Sequence, residues 1–193
     1  MRDHEAIAAE IDGRNLLKGA AAGLIGGLVA SWVMNQFQSI WSRLSSGGQG
    51  GGQQEQEQQQ QGGERQWQQQ QQQEENEPAT TKVATAVSQR VFHHRLSQQA
   101  KKVAEPAVHY AFGTAMGGLY GALVEMVPAV ESGFGLLYAT LLWAAADELA
   151  LPSLGLSKGP TEYPLSSHVY GLVSHWVYGL TAEAVRRAVR AAL

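Results

Sequence analysis

The chain has 193 residues, one domain's worth, with a formal net charge of −3 and no cysteine. That charge is too small to argue for a nucleic-acid partner or an acidic substrate, so no nucleic acid is expected. The lack of cysteine excludes disulfides, cysteine nucleophiles and thiolate metal sites.

The mean hydropathy of −0.21 averages two unlike parts. Residues 47–77 are almost pure Gly, Gln and Glu, whereas the remainder is rich in Ala, Leu, Val, Gly and aromatics. Residues 1–15 form a polar lead in which acids match or outnumber bases, and no small-x-small cleavage site closes the apolar run behind it. That run, 16–41, reads as a retained first transmembrane helix, with Trp32 and Trp41 as interfacial belt residues. Residues 42–79 read as a disordered Gln/Gly-rich linker, since Gln and Glu offer little apolar area to offset ordering entropy.

Residues 80–105 read as one amphipathic helix, with Val83, Val87, Val91 and Leu96 at near-helical spacing and Arg90, Arg95, Lys101 and Lys102 as basic charge. It either lies on a membrane surface or leads into the next span. Residues 106–193 then form a three-helix transmembrane region. Pro106 is expected in the first turn of a helix, and spans are expected over 107–127, 133–151 and 165–185. Pro128 and Pro152 stop the first two, and a turn-rich loop with Gly155, Gly159, Pro160 and Pro164 precedes the last. The fold class expected is therefore an all-α membrane protein, a bundle of four transmembrane helices whose partner is the lipid bilayer. A soluble bundle needs a polar face on each helix, and the runs FGTAMGGLYGALV and VYGLVSHWVYGL show little of one.

An even number of spans puts both termini on one side. Arg2, Arg14, Lys18, Arg186, Arg187 and Arg190 lie there, against Lys158 in the short last loop, which argues for a cytoplasmic position. The basic residues ahead of the second span argue the other way.

Two patterns carry the functional reading. Gly19, Gly23 and Gly27 in the first span, and Gly113, Gly117 and Gly121 in the second, recur every four residues, about one helical turn. Each set makes a smooth face for close helix packing, within the chain, in a homo-oligomer or against a membrane protein partner. The second pattern is ionisable groups at membrane depth: His109, Glu125, Asp147, Glu148, His168, His175 and Glu183. His168 and His175 are seven apart and share a helix face, and Asp147 is expected to approach His168. His175, His168, Asp147, Glu148 and His109 are the candidates for a proton relay or polar cavity, because imidazole titrates near neutral pH. The alternative is that such groups hydrogen-bond between helices or reach to the interface. No HxxxH or HExxH occurs and no Gly-rich loop follows a strand, so neither a metal, a cofactor nor standard catalysis is expected.

The closing stretch SHWVYGLTAEAVRRAVR, with His175, Trp176, Tyr178, Glu183, Arg186 and Arg187, resembles the last helix of the YagU-like inner-membrane proteins, a bacterial family of uncharacterised domain. The opening GLIGGLVASWVMNQFQ and the Pro-rich loop before the last span are also similar, whereas the Gln-rich segment departs from that pattern. The resemblance implies a multi-pass protein of the bacterial inner membrane with a link to acid resistance or envelope stress. It implies no reaction or substrate.

Overall fold

The computed structural model describes residues 13–46, 79–91, 93 and 96–193, and among them every regular element is helical. The polar lead and the Gln/Gly-rich linker fall largely outside the described residues. Helix α1 (Gly13–Ser46) is the longest, at 34 residues. Helix α2 (Ala79–Val91) is followed by α3 (Gln98–Met126). A 3₁₀ turn (Pro128–Glu131) leads to α4 (Leu136–Trp143), which runs on as a π-helix (Ala144–Ala150) and a last α-turn (Leu151–Ser153). A second 3₁₀ turn (Pro160–Glu162) precedes α5 (Leu165–Ala192).

Helices α1, α3, α4 and α5 alternate in direction. α1 packs against α3 and α5, while α4 lies on α5 and α2 on α3. The start of α1 and the end of α5 lie together, where Lys18 Nζ donates to the Leu193 carbonyl at 2.6 Å and Arg190 to the Asn15 side chain at 3.1 Å.

The expected single helix over 80–105 is two elements. α2 ends at Val91, His93 has a positive φ of 53°, and α3 starts afresh with Ser97 capping the Ala100 amide at 3.2 Å. Apolar spacing alone carried across this break, but a new cap supplies what a new helix start needs. On α2 the inward residues are Thr81, Ala84 and Ser88, and Val87 is half exposed. Pro106 consequently sits inside α3 rather than in its first turn.

Among the described residues only α1 is long and apolar enough to cross a membrane on its own composition, with a mean hydropathy of 1.6 in its best window. α3 and α5, at 29 and 28 residues, have the length. Their Gly, Tyr, Ser and His residues dilute the apolar signal. The third expected span is cut by its π-helix into short pieces. Four spans are thus not read from helix length and hydropathy, although the four-helix arrangement is present.

The turn from α3 to α4 needs left-handed backbone at three successive residues: Gly133 at φ 66°, Phe134 at 58° and Gly135 at 86°. Glycine adopts this without cost. Gly135 also lies against α5, where an added Cβ would come to 2.5 Å from the Gly179 carbonyl.

The buried centre is small and aromatic: Met34, Tyr120, Val124, Tyr138 and Tyr178 with Ala30 and Ala182. Tyr120 and Tyr138 rings pack at 4.6 Å, Tyr138 donates to the Met116 carbonyl at 2.8 Å and Tyr178 to the Gly113 carbonyl at 2.6 Å. Large apolar side chains face outward instead, on α1 (Leu24, Leu28, Trp32), α3 (Phe112, Leu119), α4 (Leu141) and α5 (Val169, Trp176).

Candidate functional site

A cavity of about 800 Å³ lies between α1, α3, α4 and α5, flanked by α2. It runs inward from Gln38, Thr80, Glu105 and Leu154 to Ser31, Gly113 and Tyr178. His109, Asp147 and His175 all line it. His175 Nδ1 donates to the Gly171 carbonyl at 2.9 Å and stands 3.8 Å from Asp147, close enough for electrostatic attraction but too far for a direct hydrogen bond. His109 lies beside the Ser31 carbonyl, and its Nε2 is buried without a hydrogen-bond partner. A buried polar atom left unpaired costs free energy unless something meets it.

A second, smaller cavity of about 180 Å³ lies at the loop end, lined by Trp143, Glu148, Ser157, Tyr163 and His168 among others. Here His168 Nδ1 faces Glu148 at 2.8 Å and Nε2 faces the Pro160 carbonyl at 3.0 Å. Both partners are acceptors, so only the imidazolium, with hydrogen on both nitrogens, satisfies them together. Asp147, expected to approach His168, lines this small cavity with it, but the direct contact is made by its neighbour. Glu148 takes that place, and Asp147 turns to His175. Asp147 and Leu151 line both cavities, whereas Glu148 lines the smaller one, so Asp147 is shared between the two.

Both acids stand on the π-helix. The Leu151 amide bonds to the Ala146 carbonyl, five residues back. Pro152 lacks an N–H, and its ring crowds the carbonyl four residues earlier, that of Glu148. A wider turn ahead of the proline relieves this crowding, and π-turns of this kind recur at functional sites. Nothing in the sequence reading signalled it.

At the other end of the bundle six charged side chains form a cap that the sequence reading did not assemble. Glu183 is fully buried and receives hydrogen bonds from Tyr120 (2.8 Å), Arg186 (2.7 and 2.9 Å) and Arg187. Glu131 in the turn accepts from Arg186 at 3.0 Å and Arg187 at 3.2 Å. Arg190 holds Glu125 at 2.7 Å. Hydrogen bonding to these carboxylates, Glu183 above all for Arg186 and Arg187, pushes the guanidinium pKa values up and fixes the groups as cations. The three- and four-residue spacing from Glu183 to Arg186 and Arg187 was the available signal. Neither Glu125 nor Glu183 simply reaches to the surface.

The two Gly sets meet each other in antiparallel order: Gly19 opposite Gly121, Gly23 opposite Gly117, Gly27 opposite Gly113. An added Cβ on Gly27 or Gly117 would come to 2.5 Å from a carbonyl oxygen across the pair, and one on Gly23 would come closer still to Gly117. Among the described residues no group of three or more His, Asp or Glu is placed to hold a metal ion.

No curated protein and no solved structure matches the chain. A family match does exist. It runs over residues 67–184, taking in α2 to most of α5 and with them His109, Asp147, His168, His175 and Glu183. On that match, which covers more than half its length, the chain belongs to the family described as protein of unknown function (DUF1440).

Proposed function

We propose that this chain is a membrane-embedded four-helix bundle whose interior histidines and carboxylates take up and pass protons. The observation that carries the reading is the series of titratable groups from the loop end inward. His168 pairs with Glu148, Asp147 next to it lines both cavities, and His175 and His109 follow in the large cavity. Imidazole and carboxylate exchange protons near neutral pH, and the cavity has room for water between them. The outward Leu, Phe and Trp side chains on all four helices, around charged residues buried within, fit a hydrocarbon surround better than water. The resemblance to YagU-like inner-membrane proteins adds a bacterial inner-membrane location and a link to acid resistance. The other reading, an interaction or scaffold protein that associates through its Gly faces, finds those of α1 and α3 already filled by each other.

Proton flux across liposomes holding the purified protein, after a pH step, tests this. The expected result is flux above empty liposomes that falls with His175→Gln, together with lower survival of cells carrying that variant at low pH. Flux no greater than in empty liposomes would end the proton reading and leave the polar groups as links between helices.

A further inference from the structure

The large cavity is far roomier than a proton path requires. Its 800 Å³ lies within the range of about 300–1,000 Å³ that small-molecule sites occupy. Its wall is chiefly apolar and aromatic, with Met34, Phe112, Met116 and Leu142 among the lining residues. The polar groups are few, as in sites that bind an apolar body and orient it by a small number of contacts.

Among the described residues, the fixed charges on the wall are the carboxylates of Glu105 and Asp147, and no Lys or Arg lines it; His109 and His175 add positive charge only when protonated. Glu105 stands at the entrance, touched by the Thr81 hydroxyl at 3.3 Å, and Asp147 lies deeper. Asp147 is not consumed by its neighbour: its carboxylate is 3.8 Å from His175 Nδ1, which already donates to Gly171, and its side chain is 39% exposed. The carboxylate therefore keeps free acceptor capacity towards the cavity. Tyr110, Phe112 and Tyr178 add aromatic rings, whose faces attract cations. A small hydrated cation wants a shell of oxygen ligands, which this mostly apolar wall does not offer. An anionic amphiphile would meet Glu105 on entry and Asp147 inside.

We propose that this cavity binds a lipophilic organic cation, an apolar body bearing one positive charge, which places that charge against Asp147. The inference deepens the reading above, since it concerns the same cavity and the same acid, with the proton and the organic cation as alternative occupants of Asp147.

The full-length protein in neutral detergent is titrated with tetraphenylphosphonium and with tetraphenylborate, an anion of the same shape, by calorimetry and without a pH gradient. The expected result is a single saturable site for the cation and none for the anion. Asp147→Asn weakens cation binding by about tenfold or more, the scale of one lost charge pair in a poorly hydrated site. Ala146→Trp, which fills the cavity and leaves the acid in place, abolishes binding. Circular dichroism confirms that each variant keeps its helicity, and Glu105→Gln substitutes for Asp147→Asn should the latter unfold. Equal binding of cation and anion, or cation binding indifferent to every one of these variants, overturns the proposal. Because binding is read without a gradient, it separates from the flux measurement. Cation binding without His175-dependent flux removes the proton path alone, and flux without cation binding removes this inference alone.

Discussion

Glu183 has no exposed surface, and Arg186 beside it has a side chain only 6% exposed. Taking both from water is expensive, and the geometry offsets it by giving the carboxylate three donor side chains. Removing the Glu183 charge leaves buried Arg186 with only the half-exposed Glu131 carboxylate beside it. Glu183→Gln keeps the shape and removes the charge, so it is expected to lower stability by about 3–5 kcal/mol. Arg187→Gln touches a side chain that is 49% exposed and solvent-screened, and its expected cost is much the smaller of the two. Thermal unfolding of the two variants in one detergent checks the contrast, and equal losses would mean that the cap is not buried as described. At this scale the sequence was legible for residue type and poor for partner. His175 and Asp147 were both recognisable as groups that must face inward. Which acid meets which histidine depends on a π-turn invisible to spacing, and Glu131 sat in a turn that apolar periodicity ignores.

The pairing of α1 with α3 rests on backbone approach rather than on interlocking side chains. With no Cβ at Gly19, Gly23, Gly27, Gly113, Gly117 and Gly121, the two helices come close enough for each carbonyl to occupy the space a methyl would take. Gly23→Ala places a methyl on the Gly117 carbonyl, where neither backbone can yield locally. The expected cost is about 1–3 kcal/mol, typical of overpacking. Gly13→Ala meets nothing within 4 Å and is expected to be neutral or stabilising by up to about 1 kcal/mol. Unfolding curves of this pair distinguish a packing effect from a general intolerance of alanine. The four-residue Gly spacing was plain in the sequence, and so was the approximate place of each long helix. The break between α2 and α3 was not, because Val83, Val87, Val91 and Leu96 continue a helical rhythm across residues where the backbone turns.

Taken whole, the protein separates its chemistry by end. The termini side carries a neutral cap of three carboxylates and three guanidiniums, and the opposite side carries the cavity entrances and the loop held by His168. If the bundle crosses a membrane, these ends face different compartments. The natural chain has no cysteine, which makes the test clean. Single cysteines at Gly13, Ala191 and Thr161, each exposed, are labelled in intact cells with an impermeant maleimide. Gly13→Cys and Ala191→Cys are expected to share one accessibility and Thr161→Cys to show the opposite. Labelling of all three alike would remove the four-span arrangement. By length and hydropathy only α1 qualifies as a span among the described residues; α3 and α5 carry glycine where they pack against α1 and α4, and α4 is interrupted. The same glycines lower the hydropathy of a helix and let it pack closely.

The π-helix in α4 has a consequence for how the site is encoded. Relative to an ordinary helix, the run Ala144–Ala150 holds one residue in surplus. The alanines at 144, 145 and 146 supply length and almost no chemistry. The directions of Asp147 and Glu148 are therefore set by how many residues precede Pro152, not by what those residues are. A chain shorter by one alanine would keep every titratable group and still aim both acids elsewhere, so here the count of residues is itself part of the site.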